Sequence, residues 1–313
     1  MPNAEEIEFK EKFIERYSKL TDFQEFKKYS LSFLRRSIRI NTLKISINEL
    51  KKRLEKDWKL TQIPWCKQGF WIEHKGKEKR RDIGNLIEHL LGYFYVQEAV
   101  SMIPPIVLDP KPGETILDIA ASPGSKATQI ASMMQNKGIF IANDYKGDRM
   151  KPLGINMQRI GITNSITTLM QGRFFKDFQF DRILVDAPCS GTGTIRKSLK
   201  TLRIWNPNMV KRISGTQKQL LETAFNNLKK GGIIVYSTCT LEPEEDEAVV
   251  DFLLDKYPNA KLEEINLPGL KRSNAVLEFE GKKYNPAIKK CLRLWPQDND
   301  TEGFFVARIV KSE

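Results

Sequence analysis

The stretch TILDIAASPGSKATQIASMMQ, residues 115–135, decides the fold. An apolar run gives way to a tight Pro-Gly turn, and the turn to a helical pattern in KATQIASMMQ, so the segment reads as strand, turn, helix. The same unit repeats outward: IFIAND before GDRMKPLGINMQRIG, then SITTLM, then RILVDA before MVKRISGTQKQLLETAFNNLKK, then GIIVYS before EEDEAVVDFLLDKY. Short apolar runs separated by amphipathic helices predict a mainly parallel α/β sheet covered on both faces. Glycines in NKGIF and KKGGIIVY fall where helices should stop before strands. The final run, FFVARIV, reads as a hairpin partner at the sheet's edge.

Before this unit the chain changes character. Helical patterns in EEIEFKEKFIERYSKL and TDFQEFKKY precede a strand-like SIRINTLKI, a helix in INELKKRLEKDW and an aromatic stretch, IPWCKQGFWIE. These predict a small α+β unit over residues 1–100, with residues 83–108 as a helical bridge and residues 101–313 as the main domain.

The formal net charge of +12 is uneven, with 21 Lys and Arg against 15 Asp and Glu in residues 1–100, and 14 against 4 in residues 151–230. Such a field attracts a polyanion, although a Lys-rich face can equally be mere solvation. No apolar run approaches the roughly 18 residues of a membrane span, and the acidic start MPNAEEIEFKEKF is unlike a signal peptide, so a soluble cytoplasmic protein is expected. The four cysteines, at 66, 189, 239 and 291, form no CxxC pair, and the only histidines are His74 and His89. No metal site is expected from that set, and the scarcity of histidine weighs against Ser-His-Asp or Cys-His catalysis. The acidic run EPEEDE after Cys239 reads as a helix start, where negative charge and proline are favoured.

In a doubly wound sheet, ligands sit beyond the carboxyl ends of the strands. The turn Ala120, Ala121, Ser122, Pro123, Gly124, Ser125, Lys126 lies at the first such end, where backbone N–H groups can face an anion. It is neither a Walker A loop nor a GxGxxG fingerprint. Asp144 ends the second strand about 20 residues on, where an acid accepts ribose hydroxyls; it can equally cap the following helix. The combination favours S-adenosyl-L-methionine over a dinucleotide. Cys189 and Cys239 each end an apolar run, in DAPCSGTGTIRK and YSTCTLEPEEDE.

Together, LDIAASPGSKATQ, ND, DAPCSGTGTIRK and YSTCTLEPEEDE resemble the Sun family of RNA 5-methylcytosine methyltransferases, as do SIRINTLKIS, LLGYFYVQEAVSMIPP and RLWPQDNDTEGFFVARIV. The resemblance implies a Rossmann-like domain that binds S-adenosyl-L-methionine. It implies Cys239 as nucleophile, Cys189 as an aid to its release, and Asp186 and Lys126 as groups that hold the base. Arg149 matches a family position near the cofactor. Gln171 stands where relatives carry an Asp that contacts the nucleoside. The basic segment after the Pro-Cys motif, with Arg196, Lys197, Lys200 and Arg203, is expected to hold the RNA backbone. Compact size and a Lys/Glu-rich surface fit an archaeal tRNA enzyme, with a ribosomal RNA enzyme or a non-catalytic RNA-binding assembly factor on the same fold as the alternatives, and a monomer is expected. Cys66 and Cys291 are expected to be plain buried residues.

Overall fold

The computed structural model describes residues 7–77 and 80–313. Its N-terminal part runs α1 (Glu11–Ser18), α2 (Phe23–Ser30), β1 (Ser37–Ile40), α3 (Ile47–Leu54), β2 (Trp58–Gln62), β3 (Gly69–His74), α4 (Ile87–Leu90), β4 (Phe94–Val96) and α5 (Ile103–Leu108). Then follow β5 (Thr115–Asp118), α6 (Ser125–Met133), β6 (Ile139–Asp144), α7 (Gly147–Ile160), β7 (Ser165–Leu169), β8 (Phe180–Asp186), α8 (Lys200–Ile204), α9 (Pro207–Asn226), β9 (Leu228–Thr238) and α10 (Glu247–Lys256). The chain closes with β10 (Ala260–Glu263), a hairpin of β11 (Glu278–Phe279) and β12 (Lys282–Lys283), β13 (Leu292–Leu294), α11 (Pro296–Asn299) and β14 (Phe304–Lys311).

In the main sheet β7, β6, β5, β8 and β9 lie side by side and parallel. The strand order reverses between β5 and β8, which opens a crevice beyond their carboxyl ends. Alternate residues of each strand face opposite cores. Leu117, Ile183, Val185, Ile234 and Tyr236 pack with α9 and α10 on one side, whereas Ile116, Leu184 and Val235 pack with α5, α6 and α7 on the other. Both faces of β5, β8 and β9 are therefore apolar, which is why these strands read as continuous runs. After β5 the chain turns at Gly124, whose φ of +103° suits glycine, and α6 starts at once.

Two expectations are corrected. First, β14 is not an edge strand: it runs antiparallel between β9 and β10 and also pairs with β13. Phe304–Ala307 and Ile309 are buried on both faces, as an interior position requires. Second, residues 83–108 are not a continuous helix. Gly92, at φ +73°, ends the α4 turn, and Phe94–Val96 joins β1 as a fourth strand of the N-terminal sheet. Within the N-terminal unit, α1 and α2 also reach beyond its sheet. Their aromatic faces, Phe13, Tyr17 and Phe26, pack on Trp205 and Trp295 of the main domain. The helical pattern expected from residue 5 begins outside the described residues and is helix from Glu11. Cys66 and Cys291 are buried, as expected.

Candidate active site

Parallel pairing of β8 with β9 places Asp186 beside Ser237, so the chain segments just beyond both strands run out together. Cys189 and Cys239 lie there with their sulfurs 3.0 Å apart, both as free thiols. Lys126, from the first turn of α6, reaches across to Asp186, with Nζ 2.8 Å from Oδ2. Ser237 Oγ donates to the other Asp186 oxygen at 2.8 Å. Lys126 also lies 5.3 Å from the centre of the Phe304 ring. The four residues expected to act on the base are thus brought together at the crevice.

Burial alone would lower the Lys126 ammonium, but the Asp186 carboxylate outweighs it and holds the group more firmly charged than usual. The Cys189 thiol is pushed well up, first by its hydrogen bond with Cys239 and then by burial. Asp118, at the end of β5, is fully buried, and its carboxyl is pushed up to about 8 by burial and by neighbouring Asp186. Sequence reasoning passed over Asp118, although its place at the mouth of the first strand was a signal.

The two cysteine loops are stitched to each other. Gly193 N donates to Cys239 O at 3.0 Å, and Gly303 N donates to Gly193 O at 2.9 Å. Ser190 and Thr192 hydroxyls both meet the Thr240 hydroxyl, at 2.7 and 2.9 Å. Glu245 accepts from Ser190 N and from Gln217 Nε2, each at 2.9 Å, and Gln217 also donates to Pro188 O. The acidic run after Cys239 therefore does more than start α10. Glu242 accepts from Arg16, Tyr17 and Trp205, while Arg293 donates to Asp246 and Glu247 in a wholly buried cluster. No pattern near the cysteines signalled Arg16 or Arg293, because both arrive from distant segments. Arg39 of β1 is a further missed residue. It donates to Ser125 O at 2.9 Å and to Thr128 Oγ1 at 3.0 Å, and so fixes the helix that carries Lys126.

A cleft of about 410 Å³ opens beyond the carboxyl ends of β5 to β8, lined by Ile119, Ala120, Tyr145, Gln171 and Pro188. Its apolar walls and place at the strand-order reversal fit a nucleoside. Gln171 reaches this wall, with its carbonyl accepting from Arg173 at 3.0 Å. Asp144 is enclosed rather than open: its oxygens accept from Ser122 N at 3.3 Å and Lys146 N at 3.2 Å, and Arg149 Nε lies 3.5 Å away. Arg149 in turn donates to Ser122 O, and Ser122 Oγ donates to Arg149 O, so Ser122, Asp144 and Arg149 form one knot behind the turn. The turn's Ala121, Ser122 and Gly124 are buried while Pro123 is exposed.

Among the residues expected to meet RNA, Lys197, Lys200 and Arg203 are exposed. Arg196 is not. Its side chain is 1% exposed and is consumed by Ser32 Oγ, Phe33 O, Thr301 O and Asp300. It ties segments together and is no phosphate contact. Among the described residues, no group of three or more His, Cys, Asp or Glu side chains is arranged to hold a metal, and no helix is long and apolar enough to cross a membrane.

Residues 105–310 match a family described as 16S rRNA methyltransferase RsmB/F. This chain belongs to the RsmB/F family. Its residues 9–99 also match the N-terminal domain of the 16S rRNA methyltransferase RsmF. Among curated relatives, a tRNA (cytosine(49)-C(5))-methyltransferase of Pyrococcus abyssi is 51% identical over 303 residues, 96% of each chain. The ribosomal RNA small subunit methyltransferase F of Shewanella piezotolerans is 45% identical over 296 residues, which cover 92% of this chain and 60% of that protein. Among solved structures, a methyltransferase homolog from Pyrococcus horikoshii superposes with a TM-score of 0.81 at 37% identity, covering 92% of this chain and 90% of that one. NSun6 from the same organism, solved with SFG, shares the fold at a TM-score of 0.80 and 24% identity, covering 93% and 94%. The RsmB/F domain thus spans the whole main sheet, including β14.

Proposed function

We propose that this RsmB/F protein methylates carbon 5 of a cytosine in tRNA, with Cys239 as nucleophile and Cys189 as the group that assists its release. The observation that carries the reading is the pair of thiols 3.0 Å apart beside the Lys126–Asp186 ion pair. Carbon 5 of cytosine is a poor nucleophile, so a thiolate must first add to carbon 6 and push electron density onto carbon 5. Cys189 is held in the thiol form, with its sulfur 3.0 Å from that of Cys239, at the point where the carbon–sulfur bond forms and breaks. Asp186 meets the ring N3 and exocyclic amine during the addition, while Lys126 fixes the carboxylate and offsets charge that develops on the ring. When bound in the cleft, S-adenosyl-L-methionine supplies the methyl group. The turn 120–126, Asp144, Arg149 and Gln171 are the residues that would hold it. The proton on carbon 5 then passes to water, its bonding pair re-forms the carbon 5–carbon 6 double bond, and the bond to Cys239 breaks with its electron pair returning to the sulfur, beside the Cys189 thiol.

Two facts favour tRNA. The likeness to the Pyrococcus abyssi tRNA enzyme runs the length of both chains, whereas the chain spans 60% of the ribosomal RNA relative. Four free thiols suit the reducing cytoplasm.

Replacing each thiol tests the reading. With RNA containing the target cytosine, Cys189→Ala is expected to methylate once and stall, leaving RNA bonded to Cys239 as a band that survives heating in detergent. Cys239→Ala is expected to form no adduct, and neither variant turns over. A stable adduct in Cys239→Ala exchanges the two roles, and absence of adduct from both removes the covalent route. Comparing a tRNA transcript with a small-subunit rRNA fragment as substrates decides the RNA class.

A further inference from the structure

A trough runs from Lys197 and Glu302 towards the N-terminal sheet. Its inner part, of about 440 Å³, is walled by Gln97, Glu98, Lys197 and Glu302. Glu302 immediately precedes Gly303 and Phe304, which touch Gly193 and Lys126, so this end opens beside the catalytic loops. An outer part, of about 580 Å³, shares the segment Phe33–Arg36 and Arg81 with the inner one and continues over the N-terminal sheet. Cross-strand pairing puts Lys59 opposite Glu73 and Thr61 opposite Trp71 on that face of the sheet. The other face carries the apolar core of Ile38, Ile40, Phe70 and Ile72.

The lining is aromatic and cationic. Phe33 is 56% exposed, with the Arg81 guanidinium 4.3 Å above its ring. The Arg35 guanidinium lies 4.0 Å over Trp71 and is shared with Asp300 at 3.0 Å. Arg36 is exposed and has no carboxylate partner among the described residues. The carboxyls of the inner wall are withdrawn: burial pushes Glu98 up to about 8 and raises Glu302, so they oppose an anion weakly. Stacked arginine-aromatic pairs beside exposed cationic side chains are what a single nucleic-acid strand requires, the planes for bases and the charges for phosphates.

We propose that this trough carries the single-stranded nucleotides flanking the target cytosine, with bases on the Phe33–Arg81 and Trp71–Arg35 pairs and phosphates against Arg36 and Lys59. The proposal rests on the reading of the protein as an RNA methyltransferase and adds the path of the strand. That path crosses the N-terminal unit, which gives residues 1–100 a direct share in substrate choice.

The test uses the full chain and a single-stranded RNA with the target cytosine. Phe33→Ala with Arg81→Ala is expected to weaken binding by about tenfold, to raise KM, and to leave kcat at saturating RNA and cofactor affinity unchanged. Arg36→Glu is expected to lower the slope of log affinity against log salt by about 0.7. An RNA made abasic at the stacked nucleotide should bind the wild type and Phe33→Ala equally. Variants that bind RNA with wild-type affinity and slope overturn the path, more so if Lys200→Glu with Arg203→Glu abolishes binding. Failure of the wild type to form 5-methylcytosine in any RNA overturns the function instead.

Discussion

At the residue scale the site is a set of charges held in unusual states by their surroundings. Asp118 shows it most plainly. Its carboxyl is raised from 3.8 to about 8, so the folded protein binds that proton more tightly than the unfolded chain. The stability this brings is complete below the ordinary carboxylate range and is lost as pH rises through about 8. Asn cannot ionise, so the Tm of Asp118→Asn relative to wild type should climb between about pH 5 and about pH 9. A pH-independent difference would show that Asp118 does not carry the proton. Asp144 yields a second expectation. It closes the Ser122–Arg149 knot, and Asp144→Ala should weaken S-adenosyl-L-methionine binding by about tenfold or more, since hydrogen bonds to a charged acceptor contribute about 1.5–3 kcal/mol each. Calorimetry with unchanged affinity would leave Asp144 only a structural cap.

At the element scale, the sequence already located the strand ends but not what braces them. Alternating apolar runs and helices were legible because the strands are buried on both faces, and the cysteines were legible because each closes such a run. The placement of Arg196 was not. It sits in a basic segment, yet Ser32, Phe33 and Thr301, which absorb its guanidinium, are more than 100 residues away. Arg39 was hidden likewise, 86 residues from the Ser125 carbonyl it holds. Residues 83–108 misled for a different reason: helical spacing in LIEHLL continues into FYV, and only pairing with β1 turns that piece into strand. The loop contact at Gly193 is the sharpest of these braces. A Cβ there would stand 2.2 Å from Gly303 O and 2.9 Å from Cys239 O, with no flexible side chain to yield. Gly193→Ala should therefore lower kcat steeply while cofactor binding, on the far side of β8, is retained. Kinetics with normal turnover would show that the loops can part without cost to Cys239.

Across the whole molecule, the buried acidic cluster behind Cys239 draws its counter-charges from both ends of the chain, Arg16 from α1 and Arg293 from β13. Removing one partner of a buried pair strands the other. Arg293→Leu leaves Asp246 and Glu247 unpaired and should cost about 3–5 kcal/mol of stability by denaturant unfolding, whereas exchanging an exposed pair such as Lys19–Glu15 should cost at most about 1 kcal/mol. Equal effects would place the cluster outside the cooperative core.

The position of β14 sets the order in which the molecule can be completed. During synthesis, β5 to β9 emerge with Lys126, Asp186, Cys189 and Cys239 already in the chain, but the outer edge of β9 from Ile233 to Thr238 waits for Phe305–Val310. Until then a long, apolar strand carrying the Cys239 loop stands unpaired, and the nascent protein is most open to edge-to-edge association at that moment. Gly303, next to the same strand, is also what closes on Gly193. Vectorial folding thus delays assembly of the thiol pocket until the last strand has left the ribosome.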